Sequence, residues 1–330
     1  MKKIVVIGSN SFSGQDFVDL LLDDPAREVV GVSRSPERSS LFLKYKSHGN
    51  LSRFRYHQLD LNLGMAQLLA LLDAEQPDAV VNFAAQSEVG PSWDNPDQWF
   101  QTNTVALARL VNHLRKQRYL CRYLHISSPE VYGSCQGRVA EDGPLHPSTP
   151  YAASKAAADL LLNTYHKQFG FPLLTVRATN VYGARQQLFK IIPRTVIFLK
   201  LGKKIELHGG GRAVKSYIHI RDISRGELAI LERGLIGSIY HLSPDQGVEV
   251  REVVRTLCEK LNRRFEDYTS VAEERPGQDT AYVIDSSRAR EELRWSPKTG
   301  LSSGLDEVIE WVETNWKDIQ SLPHIYEHKP

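Results

Sequence analysis

Cysteine is scarce in this sequence of 330 residues: Cys121, Cys135 and Cys258 are odd in number and stand at no metal-ligand spacing. A disulfide framework and a zinc ribbon are thereby excluded, and reduced thiols in a cytoplasmic compartment are expected. None of the eleven histidines, His125, His208 and His219 among them, pairs with Cys or Asp at ligand spacing, so no metal site is expected. Long apolar runs are missing as well. Nowhere do roughly 18 apolar residues follow one another, and the apolar part of Met1–Gly8 is too short for a signal peptide, so the chain is expected neither to span a membrane nor to be secreted. A surplus of one charge is also lacking. The 41 Lys and Arg are offset by 39 Asp and Glu, leaving a net +2 without basic runs, which excludes an electrostatic footprint for nucleic acid. A polyanionic partner should then be small, such as a nucleotide. Internal repeats and low-complexity tracts are absent, which excludes solenoids and long disordered arms; Leu322–Pro330 reads as an irregular tail.

What is present is an ordinary globular composition, 41% hydrophobic, long enough to bury a substantial core in roughly two units. Short apolar runs that read as buried parallel strands (Ile4–Ile7, Val29–Val32, Ala79–Phe83, Tyr123–Ile126, Leu173–Arg177) alternate with amphipathic stretches such as Phe17–Leu22. That alternation predicts an α/β fold with a doubly wound parallel sheet. After Gly183 the pattern changes to shorter elements punctuated by Gly209–Gly211 and Arg275-Pro-Gly277, with helices expected at Val250–Leu261 and Gly304–Trp316. The expected division is a dinucleotide-binding part at 1–183, with parts of 215–245, and a smaller, partly discontinuous substrate-binding part at 184–214 and 246–330.

Gly8-Ser-Asn10-Ser11-Phe12-Ser13-Gly14 falls where the first strand hands over to the first helix, so its backbone N–H groups can hold a pyrophosphate. The middle glycine of the usual pattern is Ser11, which restricts the backbone's approach to phosphate. At the end of the second strand an acid would bind the ribose 2′-hydroxyl of NAD, whereas an arginine accepts the 2′-phosphate of NADP. Here stand Ser33-Arg34-Ser35, with no acid before Glu37, so NADP is favoured and NAD remains the alternative. Asp60-Leu61, after the third strand, suits the adenine edge, although an Asp there also serves as a turn cap.

Tyr151-Ala-Ala-Ser-Lys155 puts a phenol and an ammonium four residues apart on one face of an Ala-rich helix. A free tyrosine titrates near 10, so ionising it at pH 7 costs ~4 kcal/mol, which a neighbouring lysine helps to supply. Upstream, Ser127-Ser128-Pro129-Glu130-Val-Tyr-Gly133 adds a hydroxyl and a carboxylate. Together these groups can oxidise an alcohol, remove the proton beside the new carbonyl and expel a neighbouring hydroxyl.

With Arg177-Ala-Thr-Asn180-Val-Tyr-Gly183 downstream, the chain resembles the extended short-chain dehydrogenase/reductase superfamily over essentially its whole length, which implies a Rossmann-type sheet. Within it the chain is similar to the nucleotide-sugar 4,6-dehydratases. Their glucose type carries Thr-Asp-Glu and their mannose type Thr-Ser-Glu where this chain has Ser128-Pro129-Glu130, whereas epimerases usually lack the Glu. The triplet and the Gln86-Ser87 and Ser33-Arg34 segments look closer to the GDP-mannose type, and the Gly8 and Ser128 motifs to dehydratases acting on GDP-N-acetylglucosamine.

The resemblance implies that Tyr151 takes the sugar 4-hydroxyl proton with Ser128 bonded to the same oxygen. Glu130 would take the C5 proton and, with Pro129 in the acid's place, also return a proton to the departing water. A bound NADP would then be regenerated in each turnover. It further implies that Ala84 and Ala85 border the nicotinamide, that Asn103 supports the site, and that Ser87, Asn180, Lys215 and Arg275 contact the nucleotide sugar; Arg194, after Pro193, is either a further contact or, like Arg212, a solvated surface arginine. Lys215 would keep the charge of the family's arginine without its bidentate fork. A homodimer packed through helices around Gln98–Lys116 and Ala152–Phe169 is the family's habit. Other readings are a 4-epimerase, which needs no Glu130; a decarboxylase, which needs an arginine for a uronic carboxylate; and a non-enzymatic NADP sensor, which needs neither Tyr151 nor Lys155. His219-Ile-Arg-Asp222 reads as a structural strand-to-turn segment.

Overall fold

Strand β1 (Lys3–Ile7) is apolar on both faces: Ile4 and Val6 enter one hydrophobic cluster, Val5 and Ile7 the other. A strand with that pattern is stable only between two helical layers, and the computed structural model of the chain, which describes residues 1–135, 137–274, 277 and 283–329, places it there. The sheet continues with β2 (Glu28–Ser33), β3 (Phe54–Gln58), β4 (Ala79–Asn82), β5 (Arg122–Ile126), β6 (Leu173–Ala178) and β7 (Ile239–Leu242). All neighbours are parallel, in the order β7-β6-β5-β4-β1-β2-β3. β7 lay outside the expected strands because His241 and the short length mask its Ile-Tyr-His-Leu run.

The helices are α1 (Phe12–Leu22), α2 (Met65–Glu75), α3 (Leu107–Leu114), α4 (Pro150–Phe169), α5 (Ile191–Leu201), α6 (Ile220–Arg233), α7 (Val250–Lys260) and α8 (Leu301–Thr314). Side chains of α1 and α6 cover the sheet face of Ile4 and Val6, and those of α2, α3 and α4 cover the face of Val5 and Ile7. α4 begins with Pro150 at its first turn and the Thr149 hydroxyl accepting from Ala152 N, and Gly170 ends it in the left-handed conformation. α5, α7 and α8 surround a third cluster that includes Tyr182, Ile192, Val253, Leu305 and Trp311.

One expectation is corrected. Residues Tyr217–His219 form a strand parallel to Asn180–Tyr182, but His219 then caps a helix rather than a turn, its ring accepting from Arg221 N at 3.4 Å. The reason is the apolar spacing of Ile220, Ile223 and Ile230, which gives α6 a face to bury against the sheet. Among the described residues no helix is long and apolar enough to cross a membrane.

The strand order reverses between β1 and β4, so their carboxyl ends diverge and open a crevice over the sheet edge. Every candidate group on the loops after β1, β2, β4 and β5 is delivered to that edge.

Candidate active site

The loop after β1 folds by two glycines. Gly8 has φ +88°, and a Cβ on it would lie 2.7 Å from Ala84 N; a Cβ on Gly14 would lie 2.2 Å from Gly8 O. Ser11 caps α1, its hydroxyl accepting from Gly14 N at 3.0 Å, so the residue that replaces the usual middle glycine has a local structural task. Asn10 N donates to the Ser33 hydroxyl at 2.9 Å, and the Asn10 amide donates to Ser35 O and Pro36 O, tying the turn to the end of β2. Phe12 is buried at the start of α1 and Ser13 is half-buried beside it. Glycines that exclude a Cβ, with backbone N–H groups at a helix N-terminus, fit a dinucleotide pyrophosphate.

Around this turn, Arg34 is exposed and its guanidinium donates to Lys329 O at 3.2 Å. The Gln86 amide donates to the same carbonyl at 2.8 Å. His328 stacks on Trp99 at 5.3 Å, so the irregular tail is laid against the mouth of the crevice and linked to both β2 and β4 loops. Nothing in the tail's sequence signals this. Glu37 accepts from the Tyr45 hydroxyl at 2.8 Å. Asp60 accepts from Asn62 N and Leu63 N, acting as a turn cap, with Leu61 buried behind it.

The catalytic candidates converge between β5 and α4. Tyr151, Lys155 and Ser128 are 9%, 3% and 5% exposed, so proton exchange there is shielded from bulk water. The Ser128 hydroxyl hydrogen-bonds the Tyr151 phenol, which favours the phenolate, and accepts from Glu130 N at 3.2 Å. Burial, followed by the charges of Glu130 and Glu88, pushes the Tyr151 phenol well above its ordinary value. Burial pushes Lys155 down to about 8, with Asp159 opposing. Lys155 Nζ donates to Ile126 O at 2.7 Å. Pro129–Tyr132 is a single 3-10 turn, with Ser128 as its cap and Glu130 in its first turn.

Asn103, in the π-helical stretch Gln101–Ala106, bonds Gln86 N and O at 2.9 and 3.0 Å and donates to the Ser154 hydroxyl at 2.9 Å. It fastens the β4 loop, with half-buried Ala84 and Ala85 and exposed Ser87, to the catalytic helix. In the part of the chain after β6, Asn180 N donates to Ser216 O, Lys215 sits in the short strand Val214–Lys215, and Arg194 lies on α5. Arg275 lies outside the described residues.

Sequence reasoning missed two pairs. Lys190 and Glu88 form a salt bridge of 2.6 Å near Tyr151, joining residues about a hundred apart in the chain. Asp159 lies one turn beyond Lys155 on α4 and is 8% exposed. An acid placed four residues after the lysine on an otherwise Ala-rich face was the signal for the second.

A dinucleotide turn at a sheet crossover, with Ser, Tyr and Lys together on the next strand and helix, defines an extended short-chain dehydrogenase/reductase. The family model for GDP-mannose 4,6 dehydratase matches residues 5–308, and the chain belongs to that family of nucleotide-sugar 4,6-dehydratases. It is 35% identical over 330 residues to dTDP-glucose 4,6-dehydratase of Mycobacterium tuberculosis (strain ATCC 25618 / H37Rv), covering 96% of each chain. Among solved structures it is similar to the dTDP-glucose 4,6-dehydratase DesIV of Streptomyces venezuelae with NAD and TYD bound, at TM-score 0.87 and 30% identity over 96% of this chain and 98% of that one. The UDP-glucuronic acid 4-epimerase of Bacillus cereus, in complex with UDP-glucuronic acid and NAD, matches at TM-score 0.85 and 26% identity, over 94% and 99%.

Proposed function

We propose that this chain converts a nucleoside-diphosphate hexose to the 4-keto-6-deoxy sugar, with a GDP-sugar, such as GDP-N-acetylglucosamine, as substrate. The observation that carries the reading is that Glu130 stands one short turn from Ser128 and close enough to Tyr151 for its charge to act on the phenol. An epimerase has no use for that carboxylate. The GDP preference rests on Pro129, which removes the acid characteristic of the glucose type; the curated relative cited above is a dTDP-glucose enzyme.

Tyr151 takes the proton of the C4 hydroxyl while Ser128 hydrogen-bonds the same oxygen, and the Lys155 cation stabilises the phenolate that makes this feasible. A nicotinamide dinucleotide held at Gly8–Gly14 supplies the acceptor for the C4 hydride and its return at C6. The C4 ketone acidifies C5–H, and Glu130 takes that proton. The C6 hydroxyl leaves as water with a proton from the same carboxyl group; reduction at C6 also needs one proton at C5, which balances the one that Tyr151 took from O4, so Glu130 and Tyr151 both end ionised as they began. NADP is the proposed dinucleotide, because Arg34 stands where an acid would bind the NAD ribose; the similar solved structures cited above contain NAD. Asp60, Leu61, Ala84 and Ala85 would line the adenine and nicotinamide ends, and Ser87, Asn180, Arg194, Lys215 and Arg275 the sugar nucleotide.

The proposed division is 1–183 with parts of 215–245 for the dinucleotide and 184–214 with 246–330 for the sugar; Ala289, Leu293 and Trp295 of the second part pack into the core of the main sheet. A homodimer is supported by Phe100, Val105, Leu160 and Phe169, which are 38 to 58% exposed around α3 and on α4. Cys121, Cys135 and Cys258 as thiols suit a cytoplasmic protein.

The test is incubation of the purified protein, without added cofactor, with GDP-N-acetylglucosamine, GDP-mannose, dTDP-glucose and UDP-N-acetylglucosamine. Loss of one water from a GDP-sugar, seen by mass spectrometry, is expected. Water loss from dTDP-glucose alone would overturn the GDP preference, and C4 inversion without mass change would make the chain an epimerase.

A further inference from the structure

The segment Ser127–Tyr132 carries both Ser128 and Glu130, and its two ends are held by one buried ion pair. At the near end the Ser127 hydroxyl donates to Asp159 Oδ2 at 2.8 Å. At the far end Arg177 Nη1 donates to the Tyr132 phenol oxygen. Arg177 closes the circuit, donating to Asp159 Oδ2 from Nε at 3.1 Å and from Nη2 at 2.8 Å. Arg177 is 2% exposed. Asp159 is on α4, one turn beyond Lys155 and two beyond Tyr151, and Arg177 is on β6.

Tyr132 has a further anchor. His241 on β7 accepts or donates at Nε2, 2.7 Å from the Tyr132 oxygen, while its Nδ1 lies 2.9 Å from Asp285 O. Burial first, and then the charge of Arg177, pushes His241 down to about 3, so the ring is neutral. A neutral ring facing a carbonyl with Nδ1 must donate there, which leaves Nε2 as the acceptor of the Tyr132 hydroxyl proton. The Tyr132 oxygen is then set to accept from Arg177, and the donors and acceptors that link His241, Tyr132, Arg177, Asp159 Oδ2 and Ser127 match in sense, while Asp159 Oδ1 accepts no hydrogen bond from the described residues and lies 3.5 Å from His125 Nε2.

We infer that Asp159 and Arg177 are positioning residues: through Ser127 and Tyr132 they fix Ser128 and Glu130 against the helix that presents Tyr151 and Lys155. The two ends have separate consequences. Ser128 is next to the Ser127 tie, so that tie governs C4 oxidation. Glu130 is two residues from Tyr132, so the tie to Arg177 governs proton removal at C5. The inference rests on the dehydratase reading.

Removing Asp159 or Arg177 outright leaves a buried charge without its partner, which destabilises the fold itself. The test therefore uses Ser127→Ala and Tyr132→Phe, which each delete one tie and leave the ion pair. With a sugar nucleotide that the wild type dehydrates, three quantities are measured: melting temperature, single-turnover reduction of the bound nicotinamide at about 340 nm, and C5 exchange with deuterated solvent. Tyr132→Phe is expected to oxidise C4 at close to the wild-type rate and to exchange C5 at least about tenfold more slowly, with KM unchanged. Ser127→Ala is expected to slow C4 oxidation itself by about tenfold or more. Wild-type rates for both steps in both variants, or both steps slowed equally together with a fall in melting temperature, would overturn the inference while leaving the dehydratase standing. A wild type that dehydrates no sugar nucleotide overturns the reading and the inference together.

Discussion

Lys155 Nζ donates to the Ile126 carbonyl at 2.7 Å, so the ammonium that shares a helix face with Tyr151 is anchored to the strand from which Ser128 departs. Hydroxyl, phenol and ammonium are thus fixed by one strand end and one helix face. The same burial that fixes Lys155 brings its titration down to about 8.

A pH profile follows from that value. Below about 8 Lys155 is protonated and can stabilise the Tyr151 phenolate; above it the cation is lost and the phenol, already raised by burial, becomes harder to ionise. The turnover number is expected to fall on the alkaline side with a midpoint near 8. A profile still rising at pH 10, measured at saturating sugar nucleotide, would show that the neutral amine suffices.

Glu130→Gln keeps the shape of the side chain and removes its capacity to take a proton. Overall dehydration should fall by about 10² to 10⁴-fold, the usual contribution of a positioned acid or base. C4 oxidation should persist, since Ser128, Tyr151 and Lys155 are untouched, and the bound nicotinamide should accumulate in reduced form at 340 nm. Equal loss of both steps would move Glu130 out of the base's role.

The sheet was legible because buried parallel strands carry runs of consecutive apolar residues, as β1, β2 and β4 do and as Tyr123-Leu124 in β5 and Leu173-Leu174 in β6 do. Tyr151 and Lys155 were legible because a spacing of four puts both on one helix face. Asn103 was legible by resemblance alone; its bonds to Gln86 and Ser154 depend on a π-helical turn that no local spacing announces. Asp159 was signalled by its spacing of four from Lys155, but its Arg177 partner, the Glu88–Lys190 pair and the Lys329 carbonyl were out of reach for one physical reason: they come together only when the crossover order of the sheet is known.

Gly14→Ala tests the dinucleotide turn. The new methyl would sit 2.2 Å from Gly8 O, a backbone atom that cannot move away without opening the turn. A loss of about 1–3 kcal/mol is expected from overpacking, read as a fall of a few degrees in melting temperature together with weaker dinucleotide binding. Gly49→Ala, where a Cβ meets nothing within 4 Å, is the control and should change neither.

The Arg34 guanidinium, exposed at the end of β2, tests the choice of dinucleotide. A 2′-phosphate would compete with the Lys329 carbonyl for it, and a charge-assisted contact outweighs a neutral one. Arg34→Ala should therefore weaken NADP binding by about tenfold or more, equivalent to roughly 1.4 kcal/mol, and leave NAD binding nearly unchanged. The measurement is calorimetric titration of protein stripped of nucleotide. Equal weakening of both dinucleotides would mean that Arg34 serves the adenosine in general, and no change in either would leave Arg34 as an anchor for the tail.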